Sequence, residues 1–398
     1  MRTSHRPLEG GYAPLGTASG RVAPRFDALD RLRALAVVLM VQGHTFSALL
    51  ADDALPRSVM QVHAIVHGVT APAFLLAAGL AFGLSTYPRY ALHHQSPSQL
   101  GARARRYGSL LLLGYALQLP GSSLLAALRL RSEDLAPVFR VGPLQLIALC
   151  LMLCQLGARL LSSARAHAWC AFALGLLVAA CAPLVYSAQA GQRAGRLLGP
   201  WLDASSGSLF PLFPWASFAF FGVALAGFLS LRERALPRAS VWLTLGTLLA
   251  GSAYLMFSLG LRLAEPAWFW HASPLNVLFR AGLVLALLGL LHGLRSPSEQ
   301  HAAAAGALAE WTRLLARHSL LAFVVHLLLL YGTPFTPSLH KHFGLRLDAF
   351  QCSLVFVAIM AITMLLIRAW VALQDGQLLA PSWLRVLLTA LGVFVLMR

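Results

Sequence analysis

From residue 34 onward the chain is a succession of apolar runs, parted by short segments that hold most of the charge. Each run approaches the roughly 20 residues that a helix needs to cross the hydrocarbon core of a bilayer. Read between their breakers, the runs place spans at 34–51, 59–86, 108–128, 141–161, 167–187, 208–231, 240–260, 274–294, 318–333, 350–370 and 384–397. Lipid leaves few folds open to such a chain. Runs of that length suit helical spans. The expected fold is all-α, a polytopic integral membrane protein of about 11 transmembrane helices.

The charge pattern agrees. Only 11% of the residues are charged, where a soluble domain carries about a quarter. The net charge of +17 raises the question of nucleic acid. The basic residues sit in the gaps between apolar runs, not along one stripe, so no nucleic-acid partner is expected. Counted in alternate loops, twenty Lys and Arg fall on the side of the N-terminus and ten on the other, with Arg280 inside a span. Basic residues are retained in the cytoplasm, so the expected protein is a multi-pass protein of the inner (cytoplasmic) membrane with its N-terminus cytoplasmic. Residues 1–33 are then a cytoplasmic tail, without the apolar core of a cleavable leader, and 34–398 a single membrane domain. The five cysteines all lie in apolar runs with no CxxC pair, and read as packing residues; no metal site is expected.

Ionisable groups inside a bilayer are costly and so mark function by default. No Asp or Glu falls mid-span, which argues against a transporter driven by buried carboxylates. The spans hold histidine instead: His44, His63, His67, His292 and His326, with Gln145, Asn276 and Arg280. Imidazole is the ionisable group best suited to take and return a proton near neutrality. At 1.5 Å per residue, His44 lies roughly 16 Å beyond Arg33 and His326 roughly 12 Å beyond His318, so both are expected near the middle of the membrane. His63 and His67, four apart, share a helix face. That spacing serves metal binding, but no third ligand is apparent, and it serves equally to bridge a neighbouring helix. His292 stands close to a helix end and reads as interfacial.

Five segments carry a resemblance. The first span reads RFDALDRLRALAVVLMVQGHTFSALL; there follow TAPAFLLAAGLAFGLS at 70–85, VGPLQLIALCLML at 141–153, FPLFPWASFAFFGVALAG at 210–227 and HSLLAFVVHLLLLYG at 318–332. In this order and with this hydropathy the chain resembles the heparan-α-glucosaminide N-acetyltransferase family. That resemblance implies a membrane enzyme that takes an acetyl group from cytosolic acetyl-CoA and gives it to a sugar amine or hydroxyl reached from the far side. It also assigns positions. His44 takes the active-site polar place, which is often His in bacterial relatives and Asn in the animal enzyme, and His326 takes the late-span histidine. Gln145 is the Gly-x-Leu-Gln glutamine, and Asp30 and Arg33 form a pair at the cytoplasmic mouth. The chain departs from the pattern at Ala34, where a Gly is usual, and at Phe323, where a Tyr is usual. The loop histidine that is the animal enzyme's second catalytic residue has no aligned counterpart, so His63 or His67 would have to replace it.

The chemistry follows from these types. Acyl transfer needs a base beside the attacking amine or hydroxyl, with the thioester carbonyl held within about 3.5 Å of it. His44 is the expected base, or a transient carrier of the acetyl group, and His326 its partner. The phosphates of acetyl-CoA call for bidentate donors, offered by Arg33, Arg103, Arg105 and Arg106 on the cytoplasmic side, where topology also places arginines. Gln145, Asn276, Arg280, His63 and His67 would line the acceptor cavity. The expected partners are a sugar or glycan acceptor, the lipid bilayer and a second copy of the chain in a homodimer. A transporter or flippase of a polar lipid or glycan would use the same cavity without an acyl donor, and a non-catalytic scaffold would need neither.

Overall fold

The computed structural model describes residues 26–118, 136–231, 236–265, 269–294, 302–332 and 338–374. Numbering the long helices alone, the chain forms α1 Asp27–Leu49, α2 Arg57–Thr86, α3 Pro97–Ala116, α4 Pro143–Leu160, α5 Ala164–Ser187 and α6 Leu212–Ser230. It continues with α7 Ala239–Ser258, α8 Pro274–Gly293, α9 Ala302–Arg317, α10 Ser319–Tyr331 and α11 Ala349–Gln374. The starts have local causes. Pro97, Pro143 and Pro274 each open a helix, where proline gives up no intrahelical bond. Ser163 caps α5 by accepting from the Ala166 N–H at 3.2 Å.

Among the described residues eight helices are long and apolar enough to cross a bilayer: α1, α2, α4 to α8 and α11. The stretch Gly306–Arg317 of α9 and the helix α10 would make a ninth span, but the two are bent by 78° at His318. The all-α membrane fold is as expected, with one difference in the spans described. The span predicted at 108–128 belongs to a helix that begins at Pro97, so Arg103, Arg105 and Arg106 lie on its first half and not in a loop. The rest of that span, and the one at 384–397, lie outside the described residues.

The buried side chains form two groups. One joins α2 to α8 and includes Leu29, Leu32 and Ala36 of α1. The other joins α9, α10 and α11 and includes Val37, Met40, Val41 and Leu49 of α1. The first helix is thus a wall common to both. Within the first group α2 and α6 approach closely through Gly79 and Gly222. A Cβ on Gly79 would strike the Ala219 carbonyl, and one on Gly222 the Leu76 carbonyl. Small residues that let backbones meet are how membrane helices gain packing energy without a hydrophobic drive. Gly79→Ala should therefore lower stability by about 1–3 kcal/mol, the usual cost of overpacking. A thermal midpoint in detergent unchanged from the wild type would contradict it.

Polar side chains tie the ends. Arg31 donates at 2.7 Å to the carbonyls of Leu291 and of Leu294, closing the C-terminus of α8. At the other end of α1, the Leu347 N–H donates to the Leu49 carbonyl at 3.0 Å, and His340 donates through Nδ1 to the Ala48 carbonyl at 2.8 Å. Buried Asp203 organises the 188–211 link by accepting from Gly191 at 2.7 Å and from Ser205 at 2.9 Å.

Candidate active site

Four histidines from three helices meet near the Leu49 end of α1. His44 Nδ1 lies 2.8 Å from His326 Nε2, with the two rings nearly parallel and their centroids 5.1 Å apart. The His67 ring stands across His44 at 5.9 Å, and His63 stacks on His67 at 6.0 Å. The four-residue spacing on α2 produces this last pair. Gly43 makes room for it, since a Cβ there would overlap the His67 ring. On the helices themselves the cluster lies toward one end: His44 is five residues before Leu49, and His326 five before Tyr331.

Hydrogen bonding sets the tautomers. His326 is fully buried, and its Nδ1 lies 2.8 Å from the Ala322 carbonyl, which can only accept. His326 therefore carries its proton on Nδ1 and presents a bare Nε2. His44 must donate to that nitrogen through its own Nδ1–H, which leaves His44 Nε2 as the bare lone pair. The pair presents one basic nitrogen in a fixed direction, and a proton taken there is shared with a neutral partner. Phe323, where the family usually has Tyr, lies edge-on to His326 at 5.7 Å.

The other expected residues fall into three places. Arg280 approaches α2 at Gly68, one residue beyond His67, and its guanidinium lies 5.4 Å from the Trp215 ring centroid on α6. Asn276 is buried one turn earlier on α8. Gln145, 1% exposed, packs against Gly114 and Gly142 where α4 begins, a separate polar position. At the opposite end of α1, Arg33 Nη2 donates to Ser319 Oγ at 3.2 Å, where α9 turns into α10, and Asp30 is half-buried one turn before it.

Arg105 and Arg106 are exposed on α3, but Arg103 is built into the protein. Its guanidinium donates to Thr86 at 2.7 Å, Gln155 at 2.9 Å and Ser85 at 3.2 Å, and covers Phe82. At the same end a crevice of about 210 Å³ is lined by Asp27, Arg31 and His292 among others. Sequence reading did not single out Ala322, Gly43 or Trp215 as supports of the site. The backbone carbonyl and the glycine carry no chemical signal in a sequence; Trp215 does stand inside one of the family motifs.

Helices of membrane-crossing length around a hydrogen-bonded histidine pair define a polytopic membrane protein with a buried polar site. The chain belongs to the heparan-α-glucosaminide N-acetyltransferase family, whose catalytic-domain model matches residues 25–259, more than half of it. It is thus a member of a family of membrane acetyltransferases. His44, His63, His67 and Gln145 lie inside the match, whereas Asn276, Arg280 and His326 lie beyond it. Among curated proteins none matches the chain.

Proposed function

We propose that this protein takes the acetyl group of acetyl-CoA in the cytoplasm and transfers it to an amine or hydroxyl of a sugar or glycan on the far side of the inner membrane. Residues 34–398 act as one transferase domain behind a cytoplasmic N-terminal tail. The observation that carries this reading is the His44–His326 hydrogen bond, which leaves a single bare nitrogen, His44 Nε2, beside the remaining histidines. That nitrogen takes the proton of the acceptor as its nitrogen or oxygen attacks the thioester carbonyl, and His326 holds the ring and shares the charge. Transfer is direct in this scheme. Arg280 and Asn276, one turn apart on α8, fit the acceptor side, and the sugar is held between α2, α6 and α8.

The donor's phosphates lie at the Asp27 end of α1. Arg33, Arg105 and Arg106 suit them as partners, while Arg103 acts on the fold through its hydrogen bonds to α2 and α4. Isothermal titration of the purified protein with acetyl-CoA tests the reading. Micromolar-range binding is expected in the wild type, weakened on the order of tenfold by Arg33→Ala, as for loss of a hydrogen bond to a charged group. Arg129→Ala, on the opposite side by the topology, should leave binding unchanged. No binding by the wild type would overturn the enzyme reading and favour a transporter. Equal losses in both variants would mean diffuse charge attraction only.

A further inference from the structure

A second polar position lies away from the histidines, where α3 packs on α4. Between these helices runs a crevice of about 260 Å³, lined by Leu100 and Ala104 of α3 and by Met152, Leu153, Gln155 and Leu156 of α4 among others. Leu153 and Leu156 are exposed, so the crevice opens to the side of the protein. Most of its wall is apolar; Gln155 is the exception. That residue is 1% exposed, and chemistry fixes which way its amide points. A guanidinium can only donate, so the atom 2.9 Å from Arg103 Nη1 is the carbonyl oxygen. Nε2 is left on the other arm of the amide, shielded from solvent and without a hydrogen-bond partner. Two N–H donors thus go unmet among apolar side chains, where an unmade bond is costly. The level of Gln155 in the fold narrows what could meet them. It stands one turn before Arg159 at the end of α4, and Arg103 ties it to Ser85 and Thr86 at the end of α2. Such a band of polar groups suits the boundary between headgroups and chains, where the ester carbonyls of a glycerolipid lie.

We propose that the α3–α4 crevice binds one glycerophospholipid from the leaflet at the Asp27 end of α1, with an acyl chain along Ala104 and Met152 and an ester carbonyl accepting from Gln155 Nε2. An occupant of this crevice needs an apolar chain, a hydrogen-bond acceptor at the end of that chain and access from the side, and a bilayer lipid has all three. The site is independent of the chemistry proposed for His44 and His326. Its consequence is for the fold. Through Oε1 the same amide holds Arg103, which in turn donates to Thr86 and Ser85 of α2. The lipid therefore completes a chain of hydrogen bonds that joins α2, α3 and α4.

The test uses the full-length protein in detergent with two probes, a diacyl phosphatidylethanolamine and its diether analogue, which has the same chains and headgroup but no ester carbonyl. Native mass spectrometry counts the bound lipid. The wild type should retain one diacyl lipid and bind the diether form roughly three- to tenfold more weakly, as for loss of one hydrogen bond. Gln155→Glu keeps an oxygen for Arg103 and, ionised beside it, has no donor. That variant should bind the two lipids equally. Ala104→Phe fills the crevice and leaves the hydrogen bonds of Arg103 alone, so it should lose the retained lipid. Acetyl-CoA at a saturating concentration should leave the lipid in place. A wild type that retains no lipid, or that binds the diacyl and diether forms equally, would overturn the proposal. So would a preference for the ester that survives in Gln155→Glu, or a lipid that stays on the Ala104→Phe protein. Displacement by acetyl-CoA would assign the crevice to the acyl donor instead. Where a variant does not fold, the comparison of ester with ether in the wild type decides.

Discussion

His44→Ala should cut turnover by about 10²–10⁴-fold while acetyl-CoA binds within a few fold of the wild type. The expectation rests on position and on protonation together. His44 Nε2 is the only nitrogen of the His44–His326 pair that hydrogen bonding leaves bare, and Ala removes it without touching the arginines at the far end of α1. A loss confined to turnover marks an interaction made in the transition state; a loss of affinity would mark a damaged fold. The informative companion is His44→Asn, which introduces the residue that the animal enzyme carries there. Asparagine cannot serve as a base near neutrality, so full retention of activity in that variant would shift the base role to His326, His63 or His67. Wild-type turnover in a folded, CoA-binding His44→Ala protein would remove His44 from the mechanism.

His326 should be nearly as sensitive, for another reason. It sets which nitrogen of His44 carries the proton, since its own Nδ1–H is committed to the Ala322 carbonyl. His326→Phe fills the same space and offers no acceptor. His44 would then be unpinned, and turnover should fall by about 10²-fold or more, as when a base is left in the wrong tautomer. His326→Gln retains an oxygen that can accept from His44 Nδ1–H, and so should keep most of the activity. The contrast between the two variants, measured as turnover at saturating acetyl-CoA, separates positioning from packing. Equal losses in both would mean that His326 matters as an imidazole, with a proton of its own to move.

Much of the membrane architecture was legible because the bilayer imposes one simple rule, a run of apolar residues long enough to span it. The rule works for α4 to α8 and α11, whose ends fall within a few residues of the predicted ones. It fails where a helix carries charge. Asp27 to Arg33 lengthen α1 by two turns ahead of its apolar run, and Arg103 lies inside α3 because Thr86, Gln155 and Ser85 satisfy its guanidinium. It fails again at His318, where one apolar run becomes two helices at 78°. In the candidate site, the histidines were visible because imidazole is rare in lipid. Their contacts were not, since the meeting of His44 with His326 spans 282 residues of sequence and depends on how α1 and α10 rotate. The gap that Gly43 leaves for His67 shows only in three dimensions.

The first helix is a wall common to two packing groups, and His44 and His326 meet across the seam between α1 and α10. An N–H···N contact survives only a few tenths of an ångström of stretching from 2.8 Å, while helices slide past one another by about 1–2 Å in ordinary conformational changes. In the mechanism proposed above the pair is an interlock. When the block of α9, α10 and α11 shifts along α1, the aligned nitrogen is lost, with no side chain altered. Arg33 reads the same seam from the opposite end through Ser319, so in the mechanism proposed above a ligand that pulls on Arg33 also tugs at the register that assembles the base.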